Sequence, residues 1–318
     1  MQEDVLTVPV DLAEASRADW LAQIEDMGEE RGYFEPLGKR HAAILTDEGP
    51  TLIVTFETID AIRTGSESHE PMGWELVAED GWSNLCLLAH DDSWFRDKSV
   101  YGYFDRLVDD GFFEDFDRVV FYGTGMCGYA AAAYSVVAPG ATVIALQPQA
   151  TLDPALTEWD TRFPAMRRTS FTDRYGYAPD MIEAAEGAFI IYDPTVPVDA
   201  MHAALFKRSN VTRLRCPNLG HTLEADLWQM GALPDMIGAA AQGNLDAPMF
   251  HRLYRQRRTH MPYLRTLLER MQNANRPRMV QMLSNSVVAR MNAPRFRRAR
   301  ELAEQQLEGT PSETTPIL

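Results

Sequence analysis

The chain has 318 residues, 45% of them hydrophobic, enough to bury a full core and suited to one domain with an appendage. Its formal charge of −16 disfavours nucleic acid as an overall partner. Three cysteines, Cys86, Cys127 and Cys216, stand far apart with no CxxC pair, which argues against a disulfide framework and against a zinc site.

The chain opens on MQEDVLTVPVDLAEASRADW, acidic and without an apolar stretch, and no run of about 18 apolar residues occurs anywhere. A soluble cytoplasmic protein with no membrane partner is expected. Residues 11–31 read as a helix, with Leu12, Ala15, Trp20, Leu21, Ile24 and Met27 near helical spacing and Asp11 available as its cap. GYFEPLG then stops it. Strand-like runs follow at HAAIL, TLIVTFET, NLCLLAH, RVVFYG, TVIALQP, AFIIYDP and VTRLRC. Most are short, apolar throughout and bounded by Gly, Pro or Asp, the texture of strands buried on both faces. Between the later ones lie SVYGYFDRLVDDGFF, GYAAAAYSVVAPG, APDMIEAAEG and DAMHAALFKRS, each able to form a short helix. This alternation predicts a mostly parallel sheet flanked by helices.

From LEADLWQMGALPDMIGAAAQG to about Gln306 the chain reads as helical, and MPYLRTLLERMQNANRPRMVQMLSNSVVARM resembles a helical hairpin. Residues 251–300 hold thirteen arginines, no lysine and one acid, Glu269, a balance of +12 that leaves −28 on the rest. An arginine-rich face docked on the acidic domain accounts for this segment; an acidic partner or RNA is the alternative, and no recognisable nucleic-acid module supports the latter. The divisions expected are 1–40, an N-terminal helical segment; 41–243, the α/β domain; 244–307, the arginine-rich appendage; and 308–318, a disordered tail.

The stretch that carries chemistry is RVVFYGTGMCGYAAAAY, a strand, a glycine-studded turn and an alanine-rich helix. A nucleophile elbow needs small residues two before and two after its apex. Gly123 and Cys127 stand there around Gly125, and Gly128 leaves room for helix packing. The helix would begin near Met126 and aim backbone N–H groups at anything bound over the turn. Gly123, Gly125 and Gly128 also match GxGxxG, but the next strand ends in Gln147 and Gln149 where a dinucleotide site needs an acid. No GK[ST] follows, so a P-loop is excluded, and no cofactor or metal is expected.

Downstream stand Asp193 and Asp199 in AFIIYDPTVPVDAMHAALF, then His221 in VTRLRCPNLGHTLEADL. Acid after a later strand, then histidine after the last one, is the order in which an α/β-hydrolase sets out its triad. Asp193 or Asp199 would orient His221 as a general base. The quoted pieces GTGMCGYAA, LQPQ, YDPTVPVDAMHA and LGHTL resemble α/β-hydrolase-like bacterial proteins whose elbow reads GxSMGGYAA. The resemblance runs from about residue 41 to 236 and implies an α/β-hydrolase-like fold. It puts the acid at Asp193 or Asp199 and the base at His221, with Gly125 where the family has serine and Cys127 where it has glycine. It therefore implies a degenerate site, a pseudoenzyme that binds a small-molecule or protein ligand. The alternative is an acyl hydrolase or transferase that uses Cys127 or water activated by His221. A phosphoadenosine phosphosulfate reductase label, which chains resembling this one can carry, is not supported: no SGG loop occurs and the last cysteine is Cys216. His202, three residues after Asp199, reads as a core or interface residue.

Overall fold

A computed structural model describes residues 11–308. Eight strands form one sheet: β1 (Gly32–Leu37), β2 (His41–Thr46), β3 (Thr51–Thr58), β4 (Ser83–Ala89), β5 (Arg118–Thr124), β6 (Thr142–Leu146), β7 (Gly187–Tyr192) and β8 (Val211–Arg215). Their spatial order is β1-β2-β4-β3-β5-β6-β7-β8. β1 and β2 run antiparallel to their neighbours, and every pairing from β4 through β8 is parallel. This is the mostly parallel, helix-flanked architecture of an α/β-hydrolase-like fold. A parallel sheet needs both faces covered, and successive residues divide accordingly. Val54, Phe56, Phe121, Val143 and Ile190 pack under the helices Lys98–Asp109 and Met126–Tyr134. Ile53, Val120, Tyr122, Ile144 and Ile191 face the helices Leu223–Gln229 and Ala232–Ala241.

Seven of the strands fall on the seven runs expected. The eighth, β1, is the segment GYFEPL, whose Gly and Pro suggest a stop. As an edge strand paired only with β2, it accommodates the missing N–H of Pro36. The first helix is Arg17–Arg31, capped by the Ser16 hydroxyl, which accepts from Asp19 N–H; the cap is therefore Ser16 and not Asp11. Two helices that periodicity does not announce, Ile59–Gly65 and Met72–Asp80, fill the connection between β3 and β4.

The C-terminal helices Met261–Asn273, Pro277–Val288 and Pro294–Glu308 build a core of their own from Leu264, Leu268, Val280, Val287, Phe296 and Ala299. Phe250 and Tyr254, by contrast, belong to the core over the sheet. Arg270 donates to the Thr195 hydroxyl (3.1 Å), tying the appendage to the loop after β7. No described ion pair joins an arginine of 251–300 to an acid of the sheet domain; Arg295 pairs with Glu269 and Arg300 with Glu304. The expected tail from residue 309 lies outside the described residues. Among the described residues no helix is long and apolar enough to cross a membrane.

Candidate functional site

β5 ends at Thr124 and the next helix begins at Met126, leaving Gly125 alone at the apex of the turn. Its backbone has φ 56° and ψ −119°, a conformation that side-chain-bearing residues rarely adopt. Two hydrogen bonds hold it there: Gly125 N–H donates to Leu146 O (2.8 Å), and Tyr129 N–H donates to Gly125 O (2.9 Å). A Cβ on Gly125 would meet nothing within 4 Å. The other two glycines are crowded instead. A Cβ on Gly123 would lie 2.3 Å from Cys127 O, and one on Gly128 would lie 2.9 Å from Leu146 O. The turn thus has the backbone of a nucleophile elbow, with close approaches before and after an open apex.

Cys127 sits in the first turn of the helix, 5% exposed. Burial holds its thiol well above the usual range, and the carboxylates of Glu224, Glu57 and Asp92 push it the same way. A thiolate nucleophile needs the opposite environment.

The downstream acids are both engaged. Asp193, fully buried, accepts from Thr195 N–H and Oγ1 through one oxygen (2.7 Å each) and from Gly220 N–H through the other (2.8 Å). It therefore holds the backbone one residue before His221, and no described bond joins it to the imidazole. Asp199 accepts from Gln147 Nε2 (2.8 Å) and Arg162 Nη1 (2.7 Å), while Gln147 Nε2 also reaches Gly220 O (3.1 Å). His221 lies at the surface in the single turn Gly220–Thr222 with no described hydrogen bond. The two acids and the histidine are brought to the same strand ends, joined through Gly220 and Gln147.

Asp199 also belongs to a second network that sequence reasoning does not find. Asp160 accepts from His202 Nε2 (2.9 Å) and from Arg162, whose other nitrogen reaches Asp199. His202 Nδ1 in turn accepts from Ala150 N–H (3.1 Å). His202 is fully buried, as is the Asp160 side chain. Burial alone would raise the Asp160 carboxyl, but the hydrogen bonds from His202 and Arg162 prevail and hold it below the usual carboxylate range. This arrangement pins the turn after β6 to the helix Pro197–Leu205.

No sequence motif marks two further carboxylates, Glu57 and Glu224. Glu57, the last residue but one of β3, accepts from Met72 N–H (3.0 Å) and Thr55 Oγ1 (2.9 Å). Glu224 accepts from the buried Tyr122 hydroxyl (2.5 Å). Burial pushes Glu224 up to about 7, against the Tyr122 hydrogen bond, and the Glu57 charge adds to the rise. Glu57 is raised by burial too. The signals available in sequence were an acid inside the apolar run TLIVTFET and another three residues after His221. Among the described residues, no group of three or more His, Cys, Asp or Glu side chains is placed to hold a metal ion.

No family model matches the chain, and no curated protein matches it in sequence. Solved structures similar to it include an esterase of Pyrobaculum calidifontis, 14% identical over 74% of this chain and 95% of that one, with a TM-score of 0.43. A thermophilic carboxylesterase cloned from a metagenomic library is 14% identical over 72% of this chain and 97% of that one, TM-score 0.40. The capsule O-acetyltransferase of Neisseria meningitidis serogroup A is 12% identical over 56% and 82%, TM-score 0.36. At these scores the likenesses carry no argument about activity; the fold assignment rests on the strand order and the elbow backbone themselves.

Proposed function

We propose that the chain is a nucleophile-less α/β-hydrolase-like protein that binds a small-molecule or protein ligand over Gly125 instead of cleaving an acyl group. The carrying observation is the apex itself: the elbow backbone is retained at φ 56°, a Cβ there would meet open space, and the residue that stands there carries neither hydroxyl nor thiol. Acyl-enzyme chemistry needs a nucleophile within hydrogen-bond reach of its base. Gly125 has none, and the Cys127 thiol is buried and kept protonated. What remains suits recognition: backbone N–H groups from Met126 onward at the start of a helix, with Glu57 and Glu224 nearby.

The test is incubation with p-nitrophenyl acetate, a fluorophosphonate and iodoacetamide. The native protein should give no turnover and no label, while all three cysteines should alkylate after denaturation, since all are buried. Gly125→Ser supplies the hydroxyl at an unobstructed position, and esterase activity gained there would mark the rest of the site as assembled. Turnover by the unmodified protein that is lost in His221→Ala would overturn the proposal. A second reading, ester hydrolysis by activated water, draws support from Glu224, whose carboxyl near 7 could take a proton from water at neutral pH. It requires turnover that falls in Glu224→Gln.

A further inference from the structure

At the opposite end of the strands from the elbow lies a cleft of about 870 Å³. Arg118, the first residue of β5, lines it, whereas Gly125 follows the last, so the two places are separated by about 20 Å of strand. Apolar side chains line it in part, among them Val108 (48% exposed), Phe116 and Val119, beside the exposed acids of its rim, Asp109, Glu114 and Asp117. The two arginines of the lining are already engaged, Arg118 with Glu186 and Arg174 with Asp105. Among the described residues the three rim acids have no ion-pair partner. Apolar side chains beside unneutralised acids are complementary to a segment that sets arginine next to exposed apolar side chains.

The appendage offers such a segment at the start of one helix. In Pro277–Val288, Met279 (42% exposed) and Met282 (63% exposed) stand three residues apart on one face, with Arg278 one turn before Met282 and Arg276 at the helix start. Neither arginine enters a described ion pair. Methionine adapts to an irregular apolar surface, and guanidinium binds carboxylates through two nitrogens at once.

We infer that this helix of one copy docks in the acidic cleft of a second copy, so that the chain associates with itself through its two oppositely charged parts. The charge balance supports this occupant, with +12 on 251–300 against −28 elsewhere. The segments outside the described residues cannot supply the cations: residues 1–10 and 309–318 contain Glu3, Asp4 and Glu313 and no Lys or Arg. Single-stranded nucleic acid fits less well, because it is held on stacked aromatic rings as well as by charge. No Phe, Tyr or Trp of 251–300 is exposed.

The test is analytical ultracentrifugation of the full chain. At about 50 mM salt the protein should associate, and at about 300 mM the association constant should fall by roughly tenfold or more, because exposed charges are screened over a shorter distance. Removing the charges and the exposed methionine of the helix (Arg276→Gln, Arg278→Gln, Met282→Gln) should abolish association, as should neutralising the rim (Asp109→Asn, Glu114→Gln, Asp117→Asn). Mixing the two variants should restore a complex of one copy of each, since one helix and one cleft remain intact; this control separates a lost contact from a lost fold. A chain that stays monomeric at low salt, or variants that fail to complement on mixing, would overturn the inference. So would binding of a labelled single-stranded RNA that depends on Arg276 and Arg278 while the chain itself remains monomeric.

Discussion

Replacing each elbow glycine by alanine separates backbone strain from steric collision, and the structure ranks the outcomes. At Gly125 the added Cβ meets nothing within 4 Å, so the whole cost is conformational. Holding a residue with a Cβ at φ 56°, ψ −119° costs on the order of 1–3 kcal/mol. Against this, alanine restricts the unfolded chain and returns about 0.4–1 kcal/mol. The net expectation for Gly125→Ala is a loss of about 1–2 kcal/mol, the difference between these two terms. At Gly123 the Cβ would lie 2.3 Å from Cys127 O, 2.4 Å from Cys127 C and 2.9 Å from Gly128 N. All three are backbone atoms, so no rotamer change relieves the collision and the strand and helix must separate. Overpacking typically costs about 1–3 kcal/mol, and a backbone-on-backbone clash belongs at or above its upper end. Gly128→Ala, with contacts of 2.9 and 3.0 Å to two carbonyl oxygens, should fall between them. Urea unfolding followed by circular dichroism gives the ranking, Gly125→Ala mildest and Gly123→Ala most severe. A Gly125→Ala variant as unstable as Gly123→Ala would show that the apex is not open. One more stable than the wild type would show that its φ is not positive.

The carboxyl of Glu224, raised to about 7, is protonated in the folded chain at pH values where it ionises in the unfolded one. Its contribution is therefore fully present below about 4.5 and lost as pH rises through about 7, a change of about 3 kcal/mol. Glu224→Gln, which keeps an acceptor for the Tyr122 hydroxyl, should flatten that part of the stability–pH curve, leaving the slope of the same sign due to Glu57; an unchanged curve would refute the assignment. Asp160 has the opposite sign: its lowered carboxyl stabilises above about 4, the usual aspartate value, and that stability is lost as pH falls below it. Asp160→Ala strands His202 and releases Arg162, and should cost about 3 kcal/mol at pH 7 in the same unfolding assay. A loss under about 0.5 kcal/mol, the scale of an exposed pair, would refute the buried-network reading.

Fold and site were legible in sequence to different depths, and the reason is locality. A strand buried on both faces announces itself within its own residues, so TLIVTFET, RVVFYG and AFIIYDP could be placed without knowing their neighbours. β1 could not, because Pro36 is acceptable only at a sheet edge, and edge position is a property of the whole sheet. The elbow was legible because its spacing of small residues is local. The acids were legible as residues but not as partners. Asp193 satisfies Gly220 N–H, and Asp199 satisfies Arg162 and Gln147, each a contact across long sequence separations. Glu57 and Glu224 belong to different ends of the domain, and only the folding of β3 against the helix Leu223–Gln229 explains why each charge bears on the other. The docked arginine face expected of the appendage is not seen in the described ion pairs, since composition fixes the number of charges and not their neighbours.

The hydrogen bond from Ala150 N–H to His202 Nδ1 has a spectroscopic consequence. A backbone amide can only donate, so Nδ1 must present its lone pair, and the ring proton resides on Nε2, facing Asp160. With both nitrogens committed and the ring fully buried, the imidazole cannot exchange tautomers without breaking the turn after β6. Its two nitrogen resonances should therefore be widely split and in slow exchange, making His202 an internal NMR reporter on the intactness of the turn that braces the strand ends beneath Gly125.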